Sequence, residues 1–157
     1  MPDIETNTQL SKDWIPVIYR EKVRTQRTRS FEMDIPEREN AAEILHTLLG
    51  IELKVGKRRF SCPDLATARY LRVFARIGCR NIAIPYDITK ISVLADEFEV
   101  GWHKLLLVHD KNNGHKSPQA KGRMRSGLIR KVRNEIAEIG AGGTMPEFKN
   151  STRQRNS

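Results

Sequence analysis

The stretch SFEMDIPERENAAEILHTLLG, residues 30–50, decides how the chain is folded. Its first six residues alternate Phe31, Met33 and Ile35 with Glu32 and Asp34, the period of two that gives a strand one buried face. Beyond Ile35 the spacing lengthens, and Ala41, Ile44, Leu45, Leu48 and Leu49 recur at three- and four-residue steps. Asp34 and Glu37 stand at capping-box spacing, Pro36 suits a first helical turn, and Gly50 can close the last one. The stretch therefore predicts a strand followed by a helix over residues 36–49.

On the C-terminal side, IELKV (residues 51–55) alternates again, Gly56-Lys57 supplies a two-residue turn, and RRFSC (residues 58–62) returns as the partner strand. Ser61 and Asp64 repeat the capping-box spacing around Pro63, which predicts a helix over residues 63–77 closed by Gly78. NIAIPY (residues 81–86) reads as a strand. Thr89 then caps a long helix whose residues Ile91, Leu94, Phe98, Trp102, Leu105 and Leu106 form one apolar face, ending near Val108. On the N-terminal side, WIPVIY (residues 14–19) carries β-formers, with Pro16 marking an edge strand, and residues 20–30 form a basic exposed arm of net charge +4.

From Phe31 onward the order is strand, helix, strand, strand, helix, strand, the split βαβ order of a ferredoxin-like α+β sandwich. An α/β layered sandwich with other strand pairing is the alternative. The expected organisation is a flexible N-terminus over residues 1–14, one α+β domain over 15–109 and a linker over 110–122. A basic amphipathic helix over 123–139 follows, with Met124, Leu128, Val132, Ile136 and Ile139 on one face, and then a disordered tail over 140–157.

Composition narrows the function classes. Across 157 residues, 28 Lys and Arg against 19 Asp and Glu leave a net charge of +9, which favours polyanionic partners. The charge is segregated: residues 32–53 sum to −5, residues 54–80 to +7 and residues 104–157 to +8. Two cysteines exclude a disulfide scaffold and point to a reducing compartment. Cys62 and Cys79 bracket the helix over 63–77, roughly 20–25 Å apart, too far to bond. The N-terminus lacks the pattern of a secretion signal, and no apolar run approaches the roughly 20 residues of a membrane span. A soluble, cytoplasmic protein is expected.

The helix over 63–77 carries Arg69, Arg72 and Arg76 at i, i+3 and i+7, so the three share one side. That row is either the solvated face of an amphipathic helix or, with Lys57, Arg58, Arg59 and Arg80, a phosphate-binding surface. The last helix bears Arg123, Arg125, Arg130, Lys131 and Arg133 early and Glu135 and Glu138 late. That order opposes the helix macrodipole, and a polyanion near the helix start would compensate it. These twelve cations are the candidate nucleic-acid-binding residues, contacting mainly phosphates of nucleic acid or a ribonucleoprotein. RNA stacking on an open sheet face is disfavoured, because that face would show Glu32, Asp34, Glu52 and Lys54.

Two other readings carry specific residues. An adaptor or assembly factor would dock the Met124 to Ile139 stripe into a partner's groove, or meet an acidic protein through the basic segments. A metal-dependent nuclease would use Glu52 and Lys54 as an E-x-K element, with Asp34 as the missing second carboxylate. His103, His109, Asp110 and His115 match no zinc spacing, and the stretch from Asp110 ends its calcium-loop count on Lys121 instead of Glu. No glycine-rich phosphate loop or nucleophile motif occurs, and no catalytic residue, cofactor or metal is expected.

Overall fold

A computed structural model describes residues 12–143. Of the expected flexible N-terminus over residues 1–14 and disordered tail over 140–157, residues 1–11 and 144–157 lie outside the described residues, whereas Trp14 donates to Glu135 and the carbonyls of Gly140 and Gly142 accept from Tyr19 and Arg24. The first helical turn, α1 (Ile15–Ile18), runs directly into a π-helical turn, Tyr19–Val23. There follow β1 (Thr28–Glu32), β2 (Ala42–Thr47), β3 (Gly50–Val55), β4 (Arg58–Cys62), α2 (Leu65–Ile77), β5 (Asn81–Pro85), α3 (Ile88–Asn113) and α4 (Pro118–Ile139). β1 and β5 pair antiparallel as one sheet, and β2, β3 and β4 form a second antiparallel sheet. The α+β class holds, but the order seen is not βαββαβ.

The difference lies in residues 36–49. No helix forms there: residues 42–47 are β2, paired with β3 from Ala42 opposite Val55 to Thr47 opposite Gly50. Ala42, Leu53, Val55 and Cys62 turn inward against α2, while Glu43, Glu52, Lys54 and Arg59 lie on the outer face. Gly50, at φ +126°, opens β3 after the turn instead of ending a helix. A helix would have buried Leu48 and Leu49, yet both stand fully exposed at the hairpin tip. A helix would satisfy the main chain as fully as a strand, so the difference lies in the side chains: the hairpin sets Ala42 beside Val55 and Ile44 beside Leu53 on the face packed against α2.

WIPVIY is also helical, not an edge strand. Ile15, Ile18, Tyr19 and Val23 are buried at helical steps, with Pro16 in the first turn where its missing N–H costs nothing. The caps shift by a few residues: Asp64, rather than Ser61, accepts the Thr67 N–H at 2.7 Å, and Asp87, rather than Thr89, caps α3. Gly78 does close α2, at φ +92°, and a Cβ there would overlap the main chain of Arg38.

The expected linker over 110–122 shrinks to residues 114–117, because α3 continues to Asn113 and α4 begins at Pro118, capped by the Ser117 hydroxyl. α4 is no appendage either. Ile129, Val132 and Ile136 are fully buried in the same core as the other helices and Leu128 and Ile139 pack partly against it, so that most of the stripe an adaptor would have offered is already occupied, while Met124 stays exposed.

At the centre, Tyr19, Tyr70, Phe74 and Phe98 pack ring to ring with centroids 4.9–5.8 Å apart. β5 meets β1 along one edge only, and the two tyrosine hydroxyls serve Ala83. Tyr19 accepts the Ala83 N–H at 2.9 Å, and Tyr70 donates to the Ala83 carbonyl at 2.7 Å. Cys62 and Cys79 are buried and free, as their spacing requires. Among the described residues no helix is long and apolar enough to cross a membrane.

Candidate anion-binding site

The arginine row of α2 faces α3, not solvent. Arg69 reaches Glu99 with Nε at 3.1 Å and Nη2 at 2.6 Å, and also pairs with Asp96; Arg72 reaches the same Glu99 carboxylate at 3.0 Å. All three of Arg69, Arg72 and Glu99 are less than a quarter exposed. The Glu99 and Asp96 hydrogen bonds push the Arg69 guanidinium above its ordinary value. Burial alone would raise Glu99, but the Arg69 and Arg72 hydrogen bonds outweigh it and hold the carboxyl below its ordinary value. The Nε of Arg72 is buried without a partner, so this arginine is held from one side only.

Arg76 differs. The α3 residues along the row step from Asp96 to Glu99 to Trp102, so the third arginine shares a cleft with an indole where the first two bond to acids. Its protein bond is a weak one from Nη2 to the Ala42 carbonyl at 3.3 Å. Burial, with Arg72 adding repulsion, pushes its guanidinium below the ordinary value. Arg76 lines a cleft of about 430 Å³ together with Trp102, Glu39, Asn40, Ala42 and Arg125. Arg125 enters from α4, where Glu39 receives its Nε at 2.9 Å and its Nη2 as well, and these bonds raise it above its ordinary value.

Other predicted cations are dispersed. Arg58 and Arg80 share Asp34 at 2.9 and 3.5 Å, and Arg80 lies 3.8 Å from Glu37. Arg59 pairs with Glu52 at 3.3 Å. Arg133 donates to the Ile77 carbonyl at 3.0 Å and so closes the end of α2, and Lys131 sits 5.7 Å over the Trp14 ring. Lys57, Arg123 and Arg130 are exposed, and among the described residues none of them has a bonded partner. The twelve cations therefore do not form one surface: Arg69 and Arg72 bind inward, Arg76 and Arg125 meet at the cleft, and Arg123 and Arg130 project outward.

Sequence reasoning missed Glu39, Asn40 and Trp102 as parts of a site. Trp102 reads as one more apolar residue of the α3 stripe, and the cleft exists only because α4 packs back on the core. Elsewhere the chemistry is quiet. His109 is buried against Asn113, whose amide lies 3.2 Å from Nδ1, and among the described residues no three His, Cys, Asp or Glu side chains converge as metal ligands. Burial pushes the Cys79 thiol up to about 12, which leaves it unreactive near neutrality.

The chain matches no protein-family model, no curated protein and no solved structure, so its functional reading rests on the residues themselves.

Proposed function

We propose that the protein is a small cytoplasmic, non-enzymatic module that binds nucleic acid or a ribonucleoprotein through phosphate contacts made by the outward face of α4. The observation that carries this reading is the state of Arg123 and Arg130. They are exposed two turns apart, about 10 Å along the helix axis, unpaired among the described residues, with no acidic residue in the first turn of α4. Arg123 and Arg130 are the sixth and thirteenth of the 22 residues of α4, beyond its first turn, so the helix dipole does not account for them and they stand as unneutralised surface charges that a phosphate backbone would pair. Such contacts give affinity with little sequence reading.

Titrating salt against binding to generic single- and double-stranded DNA and RNA tests the reading. Log affinity should fall linearly with log salt, and R123Q/R130Q should reduce the slope by about 2, near one per neutralised phosphate. Absence of binding at low salt, or an unchanged slope in the double variant, overturns it.

A protein-binding role is the second reading, favoured by different residues from those expected. Most of the α4 stripe packs on the core, while Met124 at its start, Leu48 and Leu49 at the β2–β3 tip and Val93, Val100 and Leu107 along α3 are exposed. Nuclease chemistry has less support, since Glu52 is held by Arg59 and Asp34 by Arg58 and Arg80.

A further inference from the structure

We propose that the cleft between α2, α3 and α4 binds a single phosphate group, gripped by Arg76 and Arg125 against the wall formed by Trp102. The site stands apart from the outward face of α4 and does not depend on the reading of that face.

Three observations converge. First, Arg76 is half-buried with no carboxylate bonded to it, the nearby Glu99 being bonded to Arg69 and Arg72 and too weak a counter-charge to offset its burial. Removing a guanidinium from water costs free energy unless a counter-charge replaces the lost hydration. Its two neighbours in the row show what the α2–α3 seam does elsewhere: each has an acid opposite. At Arg76 that place is open cleft.

Second, the donors are left over in the right number. Arg76 spends only Nη2, on Ala42, leaving Nε and Nη1; Arg125 spends Nε and Nη2 on Glu39, leaving Nη1. Among the lining residues two guanidiniums stand against the single carboxylate of Glu39, with Glu99 and Asp110 acting on them from beyond the lining, and three unspent nitrogens match the several acceptor oxygens of a phosphate.

Third, the arginines are oriented by groups that do no binding themselves. Asn40 Nδ2 donates to the carbonyls of Pro36, Arg38 and Ala75 at 3.0, 2.9 and 3.1 Å, and the Asn40 N–H donates to the Arg76 carbonyl at 3.2 Å. The loop is thereby pinned to the end of α2. Glu39, the preceding residue, is held where it fixes Arg125. A pre-set fork of this kind loses little entropy when the anion arrives. The volume of about 430 Å³ admits the phosphate together with an attached sugar or ester group.

The chain contains two tryptophans, of which Trp102 lines the cleft and Trp14 bonds to Glu135 elsewhere. Inorganic phosphate titrated into the full chain at constant ionic strength should shift the Trp102 indole N–H resonance saturably and leave that of Trp14 in place, with W14F assigning the pair. R76Q should weaken the apparent affinity at least about tenfold, R76K should weaken it because the planar fork is lost, and R125Q should act in the same direction. R123Q/R130Q should leave the phosphate shift unchanged, so failure of this site and failure of the α4 reading are separable.

A 5′-phosphorylated short oligonucleotide, compared with its unphosphorylated form, distinguishes the source. Competition by the phosphorylated form alone assigns the site to a nucleic-acid end, whereas binding of inorganic phosphate without that competition assigns it to a small phosphate ester. A linear, unsaturable shift of both indoles, or a saturable shift that survives both R76Q and R125Q, overturns the proposal. Circular dichroism and melting of each variant report that it is folded, and R125Q, at the less buried arginine, provides the reading should R76Q not fold.

Discussion

A single hydroxyl can decide whether a strand is allowed to sit in the core, and Tyr19 is such a case. Its oxygen accepts the Ala83 N–H and donates to the Gly140 carbonyl at 2.6 Å, while Tyr70 takes up the Ala83 carbonyl. Without them the unpaired edge of β5 would bury main-chain groups that water cannot reach. Y19F should therefore cost about 1–3 kcal/mol, because an orphaned buried N–H loses more than a typical hydrogen bond is worth. Urea unfolding checks this, and a change under about 0.5 kcal/mol would show that the hydroxyl is dispensable. None of this was legible in the sequence. Tyr19 and Ala83 are 64 residues apart, and spacing reports which face a side chain occupies but not which distant group its polar end will find.

At the scale of elements, the α2–α3 seam turns what looked like a charged surface into a structural joint. Two half-buried guanidiniums share Glu99, so E99Q should leave both without their main counter-charge and destabilise the protein by about 2 kcal/mol, less than for a fully buried pair because the groups retain some water. A thermal melt measures the loss; an unchanged melting temperature would mean that Asp96 and solvent suffice. α2 itself was readable beforehand, since its apolar face, Pro63 and Gly78 are all local signals that agreed. What lay opposite its arginines was not, as Asp96 and Glu99 belong to another helix. The segment over 36–49 failed for a different reason, since its partner β3 is the next strand along the chain. Ile44, Leu45, Leu48 and Leu49 fit a helical stripe, but within β2 only Ala42, Ile44 and His46 need share a face, and pairing with β3 selected that arrangement.

For the whole molecule, the buried acids set how folding responds to pH. Burial raises the thiol of Cys79 to about 12 and lifts the phenols of Tyr19 and Tyr70 above their ordinary values. In the unfolded chain these groups lose their protons earlier, so the stability they contribute is full below about pH 9 and falls as pH rises from there toward 12. On the acid side the sign reverses: Glu99 is held below its ordinary value in the fold, so its contribution is lost as pH falls beneath about 4.5. Urea midpoints should form a plateau between those limits and drop on both sides; a flat profile from pH 9 to 11, roughly the range over which the unfolded groups titrate, would contradict the alkaline limb.

By itself, the sequence determined the features whose local signals agree: the α+β mixture, the β3–β4 hairpin, α2 and its glycine stop, β5, the long α3 and the segregated charge. These follow from spacing, caps and turns within a dozen residues. Only the tertiary structure decided that residues 42–47 pair as a strand, that the N-terminal segment is helical, and that α4 belongs to the core. It also divided the cations into those neutralised inside, those meeting at a cleft and those left facing outward. Charge neutralisation and the docking of α4 require partners far along the chain, which no local period records, whereas β2 pairs with the next strand and was missed because residues 36–49 fit helical and strand spacing alike.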